Sequence, residues 1–190
     1  MTAEIGGREA LLGRHIVLIG LMGAGKSTVG RVLARRLRLP FTDADEAIEA
    51  AAKRSISDIF ADYGEAEFRR LEREVIARLL ANEQRHVIAT GGGAPMDPDT
   101  RARIKAHSIS VWLRVKLGTL AARTERRGKR PLLADGDVKE TLRRLLAERE
   151  PVYSQADLIV DGGSGPPERT VDAILAAIAK LEPKHLSAAR

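Results

Sequence analysis

The 190-residue chain contains no cysteine. That excludes disulfides, thiolate metal sites and a catalytic thiol, and it suits a reducing compartment. Aromatic side chains are scarce, with three Phe, two Tyr and one Trp. Stacking platforms for single-stranded nucleic acid are therefore not expected. Long apolar runs are missing too. The strongest, Ile16 to Met22, is interrupted by Gly20 and falls far below the roughly 20 residues that span a bilayer. The first residues, Met1 to Glu9, hold no apolar segment of the signal-peptide kind. A cytoplasmic protein without a membrane partner is expected.

What is present is an ordinary globular balance, 44% hydrophobic and 31% charged. At about 150 residues per domain, the length fits one domain. Lys and Arg number 32 against 26 Asp and Glu, a net charge of +6. Such a surplus serves nucleic acid, a membrane surface or a small anionic substrate equally well.

Short β-type runs alternate with helical ones. Ile16 to Ile19, Pro40 to Asp43, His86 to Thr90, Ile109 to Leu113 and Asp157 to Val160 read as strands. Helical spacing runs over Lys26 to Leu37, Glu46 to Ala52, Ile56 to Asp62 and Glu65 to Leu80, with a break at Tyr63-Gly64. Further helices fall at Leu117 to Arg126, Val138 to Arg149 and Glu168 to Leu181. The alternation predicts an α/β domain with a parallel sheet flanked by helices. Residues 1–14 and 183–190 are expected to be a frayed extension and tail.

The first strand runs into Gly20-Leu-Met-Gly23-Ala24-Gly25-Lys26-Ser27, which fits G-x-x-x-x-G-K-[ST]. The glycines let backbone N–H groups curl around phosphate, and the following helix adds its positive end. Lys26 can reach the β- and γ-phosphates, and the Ser27 hydroxyl can ligate Mg²⁺. The pattern arises by chance in roughly one chain of this length in a hundred. Here it also has the required strand before it and helix after it.

Other residues must choose what accepts the phosphate. Asp43 and Asp45 follow the second strand, whose end faces the ligand crevice of a parallel sheet. In extended chain both carboxylates point one way. One suits the metal's water shell and the other a hydroxyl proton. The alternative is a helix N-cap. Arg69 and Glu72 lie three apart and share a helix face, so Glu72 can hold the guanidinium of Arg69 for a carboxylate. Arg70 reads as a solvated surface residue. Gly91-Gly92-Gly93 is costly to order. Close approach of a ligand to bare backbone is a reason to do so, and a flexible turn is the alternative. A basic run, Arg114 to Arg130, leads into Arg130-Pro131-Leu132-Leu133, a flap whose arginine can neutralise a transferring phosphoryl group. Arg149 is expected to end a helix before Pro151, as a partner of the helix dipole or a second carboxylate clamp.

Together these segments resemble shikimate kinase, in the family's order from about Ile16 to Ile178. The quoted residues are Gly20 to Gly30, Asp43-Ala-Asp45, Ser55 to Phe60, Gly64 to Arg69, Gly91 to Gly93, Arg130 to Leu133 and Arg149 to Tyr153. The resemblance implies a three-layer, nucleoside-monophosphate-kinase-like fold over residues 15–182. A substrate-binding region would occupy about residues 43–72 and a lid about residues 124–137. It implies transfer of the ATP γ-phosphate to the 3-hydroxyl of shikimate, with Mg²⁺ as cofactor. A monomer without a nucleic-acid partner is expected. Carried over by position, Lys26, Asp45 and Arg130 would be catalytic. Gly23, Ala24, Gly25, Lys26, Ser27, Thr28, Arg123 and Arg130 would hold the nucleotide. Asp45, Arg69, Gly92, Gly93 and Arg149 would hold shikimate. Ser27 and Asp43 would hold the metal, and Gly162 to Pro167 would form the adenine loop. The rivals are another small-molecule kinase, such as a gluconate kinase, and a nucleic-acid-binding ATPase.

Overall fold

A computed structural model describes residues 13–126, 137–163 and 165–181. Arg130, most of the expected lid (127–136), the start of the chain and the basic tail lie outside the described residues.

Five strands form one sheet: β1 (His15–Ile19), β2 (Phe41–Asp43), β3 (Val87–Ala89), β4 (Ser108–Val115) and β5 (Leu158–Gly162). Their order is β2-β3-β1-β4-β5 and every pairing is parallel. All five residues of central β1 are buried, so both faces of the sheet are covered. The helices are α1 (Lys26–Leu37), α2 (Ala44–Ala52), α3 (Ile56–Leu80), α4 (Pro98–His107), α5 (Leu117–Arg126), α6 (Val138–Tyr153) and α7 (Pro167–Ile178). A short 3₁₀ turn covers Ala94–Met96. No helix among the described residues is long and apolar enough to cross a membrane.

The main core gathers β1, β3 and β4 with the inner faces of α1, α6 and α7, around Leu18, Leu33, Ile109, Leu142 and Ile174. A second, smaller core holds α2 against α3 through Ile48, Ile59, Phe68 and Val75. It anchors the segment that leads from Asp43 to Glu72.

Three local readings need correction. The helix α4 was not expected from the apolar pattern. It buries only Thr100 and Ile104, too few to print a 3.6-residue period. Its start was legible: Asp97 precedes Pro98, and the Asp97 carboxylate accepts the N–H of Thr100 at 2.8 Å. Second, α6 does not stop before Pro151 but runs through it to Tyr153. The proline forfeits the bond to the carbonyl one turn back. Burial of Tyr153 against Trp112, ring centroids 5.7 Å apart, offsets that loss. Third, α7 ends at Ile178, short of Leu181.

Candidate active site

Because all strands run parallel, their carboxyl ends share one rim, where loops converge on a ligand crevice. Gly20, Asp43 and Thr90 stand there. The loop after β1 closes on Gly25, which has left-handed φ of 88° and starts α1. Lys26 Nζ donates to the carbonyls of Gly20 at 2.8 Å and Leu21 at 3.0 Å. Ser27 Oγ donates to Asp43 Oδ2 at 2.6 Å.

Asp43 does two things at once. Oδ1 accepts the N–H of Asp45 at 3.0 Å and caps α2, while Oδ2 meets Ser27. The cap and the site role are therefore not alternatives. Asp45 is not in extended chain as expected. It lies in the first turn of α2, and the helix turn rather than strand alternation aims it at the crevice. Ser27 and Asp43 offer hard oxygen donors. That set fits Mg²⁺, which keeps several waters and takes only one or two protein oxygens beside phosphate. No group of three His, Cys, Asp or Glu among the described residues is placed to hold a metal alone.

Two clefts flank this point. One, of about 350 Å³, is lined by Asp43, Asp45, Arg69, Glu72, Gly91 to Gly93 and Arg149, with Met22, Phe60 and Phe68 as its apolar wall. The other, of about 310 Å³, is lined by Gly23, Ala24, Gly25, Thr28, Arg123, Arg126, Gly163, Gly165 and Pro167. A narrow crevice holding Lys26, Ser27, Asp43, Asp45 and Gly92 lies against both sets of walls. Each described residue expected to hold the phosphates, the metal or the acceptor thus lines one of the three. Of the expected adenine loop, Gly163, Gly165 and Pro167 line the second cleft, while Gly162 and Pro166 do not. Arg123 spans the second cleft, donating to the carbonyls of Gly23 at 3.3 Å and Gly163 at 3.0 Å.

Arg69 is held as its spacing suggested. Nη1 donates to Glu72 Oε2 at 2.7 Å and Nη2 to Glu65 Oε1 at 3.0 Å. Arg70 instead reaches Glu67 and Glu74 on the exposed face. Burial pulls the Arg69 guanidinium down, but Glu72 and Glu65 outweigh it and hold it above its ordinary value. Glu72 is 3% exposed. Burial raises its carboxyl above the usual range despite Arg69, and its Oε1 has no hydrogen-bond partner among the described residues. Arg149 is 6% exposed, with its Nε likewise unpartnered. A buried cation with donors to spare is a seat for an anion.

The glycine triplet has a reason other than a bound ligand. None of the three has positive φ; what they lack is room. A Cβ at Gly91 would stand 2.6 Å from Glu72 Oε1, and one at Gly93 would stand 2.5 Å from Arg69 Nη1. The protein's own charged side chains fill the space that other residues would need. Sequence reasoning gave no role to Phe60 or Met22. A lone apolar residue carries no signal that its burial is against a ligand.

Fold and site together define a P-loop phosphotransferase with a small cavity beside the loop, lined by both carboxylates and arginines. Known proteins narrow that class. The sequence model of the shikimate kinase family matches residues 22–179. A shikimate kinase of Paramagnetospirillum magneticum is 57% identical over 160 residues, 84% of this chain and 82% of its own. A shikimate kinase from Acinetobacter baumannii, solved in complex with shikimate, superposes with a TM-score of 0.86 at 35% identity, over 93% of this chain and 99% of its own. A gluconokinase from Sinorhizobium meliloti reaches a TM-score of 0.63 at 20% identity, over 90% and 95%, which is a likeness of fold alone. The chain belongs to the shikimate kinase family.

Proposed function

We propose that the chain transfers the γ-phosphate of ATP to the 3-hydroxyl of shikimate, giving shikimate 3-phosphate and ADP. The observation that carries this reading is the cavity beside the P-loop, lined by two arginines, Arg69 and Arg149, together with two aspartates, Asp43 and Asp45. Arg69 and Arg149 suit one carboxylate, and Asp45 suits ring hydroxyls. A nucleoside monophosphate suits this set less well, because it needs groups that read a base as well as clamps for phosphate.

The roles follow from position. Gly23 to Gly25, Ser27 and Thr28 bind the phosphates through backbone N–H groups and hydroxyls. Lys26, in the crevice beside both clefts, balances charge on the phosphoryl group as it moves. Asp45 orients the attacking hydroxyl and takes its proton. Arg69 and Arg149 grip the carboxylate while Gly92 and Gly93 close the floor beneath the ring. Arg123 packs against adenine, and Arg130 from the lid adds a second positive charge to the phosphoryl group. Ser27 would ligate Mg²⁺ and Asp43 would hold it through water. Bound there, the ion neutralises β- and γ-phosphate charge. The reading takes the kinase unit as residues 15–182, acting as a cytoplasmic monomer without nucleic acid.

A coupled assay of ADP release across shikimate, gluconate and nucleoside monophosphates tests it. Turnover is expected on shikimate, and silence on shikimate would sink the reading.

A further inference from the structure

Resting on that reading, we propose that Tyr153 is a positioning residue for shikimate. Its hydroxyl fixes the backbone of Gly92 and the aim of Arg149, so that the glycine floor and the carboxylate clamp are set by one side chain.

Tyr153 closes α6 and is fully buried. Its hydroxyl donates to the carbonyl of Gly92 at 2.5 Å. A tyrosine that only filled the core would not need its hydroxyl, because phenylalanine has nearly the same shape. Here the hydroxyl is directed at the middle residue of the turn that lines the acceptor cavity. Gly92 is enclosed: the position of a Cβ would lie 3.1 Å from Arg149 Nη1, 3.2 Å from the Gly20 carbonyl and 3.4 Å from the Tyr153 hydroxyl. The tyrosine, the arginine and the P-loop backbone therefore meet at one glycine.

Arg149 stands four residues before Tyr153, one helical turn away on the same face. The Tyr153 hydroxyl and the Arg149 guanidinium crowd the same point, the place of a Gly92 Cβ. Burial pushes this hydroxyl up to about 12, with the Arg149 cation opposing, so the O–H stays a donor throughout the neutral range. The ring is braced by Trp112 behind it, which leaves the hydroxyl little freedom.

The test is Tyr153→Phe, which keeps the ring and removes the hydroxyl. The Gly92 carbonyl is then left without this donor and Arg149 without its neighbour. The shikimate KM should rise about tenfold, with the ATP KM within about twofold of the parent. A shikimate KM within about twofold of the parent would overturn the proposal, as would an equal rise for both substrates. Ile178→Val, a core truncation in α7, separates positioning from loss of stability. It should lower the melting temperature yet leave the shikimate KM unchanged, and a rise matching that of Tyr153→Phe would also overturn the proposal. The parent chain in the same assay reports on the underlying reading. If the parent turns over shikimate and Tyr153→Phe behaves like it, only the role of Tyr153 falls.

Discussion

Arg69 and Arg149 reach one cavity from different helices, and their surroundings differ. Arg69 is bound on its own helix by Glu72 and Glu65. Arg149 is buried with an unpartnered Nε. Removing either should hurt the acid end of the substrate and spare ATP. For Arg69→Ala, a charged hydrogen bond of about 1.5–3 kcal/mol is lost, so the shikimate KM should rise roughly ten- to a hundredfold. Equal damage to the ATP KM would count against the clamp. Asp45→Asn keeps the shape and loses the charge, so it should act chiefly on kcat. A loss of only a few-fold would mean that Asp45 orients the hydroxyl rather than deprotonating it, since phosphoryl transfer leans on positioning. Much of this was legible in the sequence: a three-residue spacing reads directly as the Arg69–Glu72 contact. The role of Tyr153 was not, because its meaning depends on a glycine 61 positions away, a distance that no local pattern encodes.

Among the elements, α3 carries the clearest break. Gly64 has φ 78° and ψ 177°, non-helical values inside a helix of 25 residues. That region is essentially reserved for glycine, and another residue there costs about 1–3 kcal/mol. Gly64→Ala should therefore lower the melting temperature by roughly 2–10 °C. No change would mean that the helix straightens without penalty. The kink lets α3 line the cavity from both of its halves, with Phe60 before the break and Arg69 after it. The sequence announced this break through Tyr63-Gly64, and it announced strands through apolar runs. It hid α4, whose stability comes from a cap and few buried residues. It misled at Pro151, where packing of Tyr153 prevails over a local signal.

For the whole molecule, the parallel sheet separates two rims. Chemistry gathers at the carboxyl ends of the strands, while the amino ends carry His15 and His86. His15 Nδ1 accepts the backbone N–H of His86 at 3.1 Å, and the rings meet edge-on at 5.9 Å. Accepting that bond requires His15 to be neutral at Nδ1. Desolvation lowers both histidines from 6.5, and the two histidine neighbours His86 and His107 lower His15 further, against the carbonyls of Leu80 and Asn82. The unfolded chain then takes up protons before the folded one does. Stability is full above pH 6.5 and is lost as pH falls from there through the lowered folded values. Melting curves between about pH 5 and pH 8 should record that decline, and His15→Asn, which keeps an acceptor without titrating, should flatten it. An unaltered slope in the variant would remove His15 as the cause. The +6 charge is used at the opposite rim, where Lys26, Arg69, Arg123 and Arg149 line the clefts. The scarcity of aromatics has an optical consequence. Trp112 is the chain's single indole; it touches Tyr153 and lies 3.6 Å from where a Cβ of Gly20 would be. Its indole fluorescence therefore comes from one place, between the base of the phosphate loop and Tyr153, with no second tryptophan to blur the record.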